Sequence, residues 1–165
     1  MCLDYRALNA KTIKQNFPMP KASRILDDIA KGKVFSLLDL TKGYYQAKLS
    51  EDDVEKTAFA LENGTKYEFL RLPFGLRNAP MAFAEVLSPI FAGLPFVRLY
   101  ADDLIVFSES AEEHYEHLKQ LLTRVMQHGI RLNPAKSVIN QKEIIALGHV
   151  VRHGCIALKE SRIET

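Results

Sequence analysis

The chain has little of several things that would assign it to a common class. Its 165 residues include two cysteines, Cys2 and Cys155. These supply neither a disulfide framework nor metal-ligand spacing, which fits a reducing compartment. No apolar run is long enough to span a bilayer, so no membrane partner is expected. The first residues do not read as a secretory signal, because Asp4 and Arg6 interrupt any apolar core. Neither sign of charge is in excess: 22 Lys and Arg against 20 Asp and Glu leave +2. Charge alone therefore does not mark a strongly basic nucleic-acid binder. Repeats and low-complexity segments are also lacking. What remains is an ordinary globular composition and a length suited to one domain, or most of one.

Against that plain background one segment stands out, LYADDLIVF (99–107). Asp102 and Asp103 adjoin at its centre, between Phe96-Val97-Arg98-Leu99-Tyr100 and Leu104-Ile105-Val106-Phe107. Runs that apolar and β-prone predict buried strands joined at the doublet. Two carboxylates at such a joint each raise the cost of ionising the other. A hard, oxygen-seeking divalent cation such as magnesium would remove that cost. The bland alternative is a solvated turn, since aspartate is a common turn former. A second carboxylate, Asp39, shifts the balance. It closes the apolar run Val34-Phe35-Ser36-Leu37-Leu38. If both segments are neighbouring strands, three carboxylates converge at one edge, enough for two metal ions in phosphoryl transfer.

The remaining pattern is mixed. Residues 1–17 look extended. Residues 17–33 contain two prolines, then Ile25, Leu26 and Ile29 at helical spacing, then Gly32 as a stop. A strand is expected at 33–39, and a Ser50–Asp53 capping box for a brief helical turn. Two β-prone runs, 57–61 and 66–72, are joined through Asn63-Gly64. LPFGLRNAP (72–80) reads as a loop, and 79–92 as a helix that Pro89 kinks or ends. Ser110 and Glu113 cap another helix, whose expected buried stripe is Tyr115, Leu118, Leu121, Leu122, Val125 and Met126, with Gly129 closing it. Short strands follow over 130–158, with a turn at Asn133-Pro134 and a hairpin from Ile144–Val151 into Cys155–Leu158. His114 and His117 have zinc-compatible spacing, but the helix already has a separate apolar stripe, so both are expected to face outward. Helices interleaved with hairpins predict an α+β fold with antiparallel pairing.

Six segments in order carry a resemblance: DYRALNAKT (4–12), FSLLDLTKGYYQ (35–46), KTAFALENGTKYEFLRLPFGLRNAPMAF (56–83), YADDLIVFS (100–108), HLKQLLTRVMQHGIRLNPAKS (117–137) and ALGHVV (146–151). Together they resemble the reverse transcriptases of LTR retrotransposons, and LPFGLRNAP is most similar to the gypsy-type lineage. The resemblance covers nearly the whole chain. It implies a right-handed polymerase palm, an antiparallel sheet with helices packed on one face, plus part of the fingers. It also implies a truncated domain over 1–165: upstream fingers, thumb, connection and ribonuclease H segments are not recognised. A palm's acidic metal sites offset its basic surface, so a near-neutral total does not exclude one.

By the same resemblance Asp39, Asp102 and Asp103 are catalytic carboxylates. With the Leu40 carbonyl they would hold two Mg2+ ions, for which Mn2+ could substitute. Lys136 is implied as the general acid toward pyrophosphate. Tyr44 is implied as an aromatic gate against a 2′-hydroxyl. Phe74, Gly75 and Arg77 would line the nucleotide and template, Arg6 would touch the template, and Leu147 and Gly148 would form the primer grip. On their own chemistry these are, in turn, a turn lysine, a core aromatic, an ordinary Pro-Gly turn, a surface arginine and a tight hairpin. Implied partners are an RNA or DNA template with primer, deoxynucleoside triphosphates and flanking Pol polyprotein domains; the implied place is a cytoplasmic virus-like particle. Departures from the family pattern are Ala101, Tyr45, Ser137 and Ala146, none of which removes a catalytic group. Two other classes compete: a catalytically inactive or domesticated palm kept as a nucleic-acid or protein-binding module, and a two-metal nuclease. The nuclease leaves the gate and grip segments unexplained.

Overall fold

A computed structural model describes residues 3–15 and 20–158. In chain order the helices and strands are α1 (Arg6–Lys11), α2 (Ala22–Ile29), β1 (Val34–Leu40), α3 (Glu51–Val54), β2 (Phe59–Ala60), β3 (Lys66–Tyr67), α4 (Ala79–Phe91), β4 (Val97–Tyr100), β5 (Asp103–Ser108), α5 (Ala111–Gln127), β6 (Leu132–Gln141), β7 (Glu143–Ala146), β8 (His149–Arg152) and β9 (Cys155–Leu158). Cys2 and the Phe17-Pro18-Met19 start of the expected 17–33 segment lie outside the described residues. The chain forms two compact units, one from residues 1–17 and 42–87, the other from 18–41 and 88–165.

The second unit is built on an antiparallel sheet in the order β4-β5-β1-β6. Its central strand β1 is apolar almost throughout, as a strand covered on both faces must be. The period-two alternation divides the side chains. Phe35, Leu37 and Asp39 share one face with Phe107, Ile105 and Asp103, their register partners on β5. Phe35 and Ile105 there join Ile25, Leu26 and Ile29 of α2 and Ile144, Ala146 and Val151 of the β7-β8-β9 sheet in one core cluster. Ser36 and Ser108 point to the other face, where both bond His114 of α5. The sheet is antiparallel as expected, with α2 against the Phe35 and Ile105 side chains and α5 meeting Ser36 and Ser108 through His114.

α5 corrects an expectation. Leu121 and Val125 are buried, whereas Tyr115, Leu122 and Met126 are exposed. The residue expected to face outward, His114, is 1% exposed. The helix buries His114, Leu121 and Val125, with Leu118 partly buried beside them, a row offset from the apolar stripe expected from the sequence. Its ends follow the sequence. The Ser110 hydroxyl accepts from the Glu113 N–H at 3.2 Å, and the Glu113 carboxylate accepts from the Glu109 N–H at 2.7 Å. Gly129, at φ +64°, closes the helix with N–H bonds from Gly129 to Met126 O and from Ile130 to Val125 O.

The first unit packs Tyr5, Ala47, Thr57, Leu72, Met81 and Phe83 as buried residues. Its N-terminal segment is helical at α1 rather than extended, because tertiary bonds described below hold that turn. Asn63-Gly64 does make the β2–β3 turn, but each strand is two residues long. Lys48 instead bridges Arg71. α3 forms without the expected side-chain cap: Asp53 N–H bonds the Ser50 carbonyl, and the Asp53 carboxylate pairs with Lys56. In the second unit, Asn133-Pro134 is not a turn between strands but lies within β6. β6 is an edge strand with register shifts, which is where a sheet tolerates proline.

Candidate active site

Asp39 and Asp103 are directly paired across β1 and β5. Asp102 lies in the two-residue turn that joins β4 to β5, and its carbonyl accepts the Leu40 N–H at 3.0 Å. The three acidic residues are thus brought to one end of one sheet. The turn requires φ +52° at Ala101, in the left-handed region that costs a residue with a Cβ roughly 1–2 kcal/mol. A positive φ at the first turn residue alone is the sign pattern of a II′ hairpin, where glycine is usual. The backbone N–H of Asp39 donates to the Ser137 hydroxyl at 3.1 Å, and that hydroxyl donates to Asn133 O at 2.7 Å. β6 therefore fixes the aspartate from the side opposite β5.

Partial burial, and then the charges of Asp102 and Asp39, push the Asp103 carboxyl up to about 6. This is the cost that the sequence predicted for clustered carboxylates. Among the described residues no three His, Cys, Asp or Glu side chains stand as a ready-made metal cage. The donor chemistry still suits a hard divalent cation: all three groups are carboxylates, and Asp103 carries a repulsion that positive charge would relieve. The Leu40 side chain is buried, and its residue closes β1 beside the turn. Lys136 is exposed on β6. Leu147 and Gly148 form the β7–β8 turn with φ +51° and +77°, both positive as in a I′ hairpin. Leu147 is also partly buried against the core cluster.

The other predicted residues lie in the first unit. Tyr44 sits in a 3-10 turn, Gly43–Gln46, with its ring 4.9 Å from Phe74 and edge-on to Phe83 at 5.2 Å. Phe74 is 49% exposed. Gly75 has φ +93°, which explains glycine there. Arg77 is occupied within its own unit, donating from Nη1 to Asn9 O at 3.2 Å and Thr12 O at 3.3 Å, the carbonyls that end α1. Arg6 is exposed and pairs with Asp4, whose carboxyl it holds below the usual range.

Sequence reasoning missed Asn9. Its side-chain amide donates to Gly75 O at 2.7 Å and accepts the Arg77 N–H at 2.7 Å, so one asparagine clamps both sides of the 75–77 loop. The only signal was its place inside DYRALNAKT. The second omission is the polar line across the second unit. Asn140 N–H donates to Ser36 Oγ, which meets His114 Nε2 at 2.7 Å. His114 Nδ1 meets Ser108 Oγ at 2.8 Å, and Ser108 Oγ meets His117 Nδ1 at 2.8 Å. Burial, with His117 beside it, lowers the His114 pKa and keeps it neutral. One proton order satisfies every group: Ser36 donates to Nε2, His114 Nδ1–H donates to Ser108, and Ser108 donates to His117.

Residues 1–151 match the family described as reverse transcriptase (RNA-dependent DNA polymerase). The chain is 39% identical over 153 residues to the retrovirus-related Pol polyprotein from transposon gypsy of Drosophila melanogaster, covering 92% of this chain and 15% of that one. It is 36% identical over 160 residues to Polyprotein P3 of Commelina yellow mottle virus, covering 96% of this chain and 8% of that protein. Among solved structures it resembles a foamy viral protease-reverse transcriptase in complex with an RNA/DNA hybrid. The TM-score is 0.88 and the identity 26%, over 97% of this chain and 22% of that one. The chain therefore spans a small part of its relatives' length.

Proposed function

The chain belongs to the reverse transcriptase (RNA-dependent DNA polymerase) family, and from that premise we propose that it carries the catalytic carboxylates of an RNA-directed DNA polymerase, extending a primer 3′ end with deoxynucleotides on an RNA or DNA template. The observation that carries this reading is the Asp39–Asp103 pair across adjacent strands with Asp102 in the joining turn. Asp39, Asp102 and Asp103, with the Leu40 carbonyl, would hold two magnesium ions, or manganese in their place. When bound, these ions supply a lowered pKa at the primer hydroxyl and neutralise charge on the triphosphate and leaving pyrophosphate.

The protein's own groups then bind, orient and move protons. Exposed Lys136 would give a proton to pyrophosphate. Tyr44, its ring braced by Phe74 and Phe83, would exclude a 2′-hydroxyl. Phe74 and Gly75 would line the nucleotide, with Arg77 and Asn9 holding that loop in shape, and Arg6 would touch the template. The Leu147-Gly148 turn would support the primer end. Flanking Pol polyprotein domains would accompany this segment, in a cytoplasmic particle. Little covalent work falls to the protein, so positioning and charge dominate.

A nucleotide-selection experiment tests the gate within this reading. Tyr44→Val should raise ribonucleotide incorporation relative to deoxynucleotide by about tenfold or more, the scale expected when a steric exclusion is removed. An unchanged ratio would remove Tyr44 from that role.

A further inference from the structure

We propose that Ser137 is a positioning residue: its hydroxyl ties the Asp39 backbone to the β6 bulge that carries Lys136, so that carboxylate and lysine are held in one fixed relation. The inference rests on the polymerase reading for what those two groups do. β1 and β6 do not pair evenly. Leu37 faces Val138 and Asp39 faces Asn133, so two steps along β1 are met by five along β6. Residues 134–137 cannot all face Leu38, and β6 therefore bulges beside Asp39.

Side chains close that bulge. Asn133 Oδ1 accepts the Ala135 N–H at 3.2 Å, and Ser137 Oγ donates to Asn133 O at 2.7 Å. The same Ser137 oxygen accepts the Asp39 N–H at 3.1 Å. One hydroxyl thus bridges Asp39 and its own register partner, with its proton and a lone pair both committed. Lys136, the residue before it, is exposed on the bulge. The other irregularity in the β1–β6 pairing, between Phe35 and Leu37, is also stitched by a serine: Ser36 Oγ accepts the Asn140 N–H at 3.0 Å. That bulge lies toward the other end of β1, so it has the same kind of bond without the same neighbours.

A group that orients a metal ligand without touching the metal commonly changes metal affinity or activity by about tenfold or more. Without the Ser137 hydroxyl, the Asp39 N–H and Asn133 O lose their common partner, and the bulge loses a bond that closes it onto β1. Alanine removes only the hydroxyl. Threonine keeps it and suits a strand.

The test is manganese binding by the whole chain, read from the electron paramagnetic resonance signal of free Mn2+, with no nucleotide or primer present. Ser137→Ala should weaken binding about tenfold, and Ser137→Thr should restore it. Ser36→Ala, which removes the hydroxyl at the other bulge, should lower the urea midpoint but leave manganese binding unchanged. In the metal-free chain the Asp39 amide proton should exchange with solvent faster in Ser137→Ala than in the wild type or Ser137→Thr. Circular dichroism confirms that each variant is folded. Unchanged binding in folded Ser137→Ala, no recovery in folded Ser137→Thr, an equal loss in Ser36→Ala, or no binding by the wild type would overturn the proposal. The lysine half is read from primer extension at saturating magnesium. There Ser137→Ala should slow incorporation about tenfold in the wild type and by less in a Lys136→Gln background, because a proton donor already removed cannot be misplaced. An equal loss in both backgrounds would overturn that half. A chain with no polymerase activity whose manganese binding follows the Ser137 hydroxyl retains the inference at Asp39 and loses only the polymerase reading. Incorporation that is untouched by Ser137→Ala does the opposite.

Discussion

At the scale of single residues, Asp103 is where electrostatics and function oppose one another. Its folded pKa of about 6 lies above the ordinary carboxylate value of 3.8. Between those two values the native state holds a proton that the unfolded chain has lost, so this group's contribution to stability falls as pH rises through that window. It is most favourable below about 4 and fully lost above about 6. Asp103→Asn should therefore stabilise the protein at pH 7.5 by about 1 kcal/mol, after allowance for solvent screening, while removing nucleotide incorporation. Urea titrations at a series of pH values check it: the gain should vanish near pH 4. His114 has the opposite sign. Its folded pKa is lowered by burial, so its contribution is intact above about 6.5 and is lost as pH falls below that. Ser36→Ala would leave Nε2 of this buried imidazole unpaired, and should cost about 1–3 kcal/mol by urea denaturation.

At the scale of elements, the β4–β5 hairpin places its aspartates by accepting strain at Ala101. Ala101→Gly should raise stability by about 1 kcal/mol, and Ala101→Val, with a β-branched side chain in the left-handed region, should lower it by about 1–2 kcal/mol. Denaturation midpoints at fixed pH read both. A gain from Ala101→Val would contradict the turn conformation. The same scale explains what the sequence revealed and what it hid. β1 and the β4–β5 pair were legible because near-continuous apolar runs end at carboxylates. The Ser110–Glu113 start and Gly129 stop of α5 were legible because caps are local chemistry. The buried row of α5 was not. Two apolar rows competed, and the choice fell to serines on β1 and β5, remote in sequence, that could satisfy a buried imidazole. α1 was read as extended because the bonds that end it come from Arg77, 65 and 68 residues away.

At the scale of the whole molecule, the antiparallel α+β class followed from hairpins interleaved with helices. The division into two units did not, since each unit takes up two separate stretches of chain. The acidic residues were found by pattern and resemblance together, and the sheet register brings them to one end. Asn9 escaped notice because one amide in a helical turn has no pattern of its own. The central claim concerns the acidic cluster. Primer extension on an oligo(dT)-primed RNA template with magnesium, comparing the chain with its Asp102→Asn/Asp103→Asn variant, tests it most directly. The account predicts magnesium-dependent incorporation by the wild type and at least about a hundredfold less by the variant, the scale expected when charge stabilisation at the reacting centre is lost. Incorporation that survives in the double variant would contradict it, as would none from wild-type protein shown to be folded.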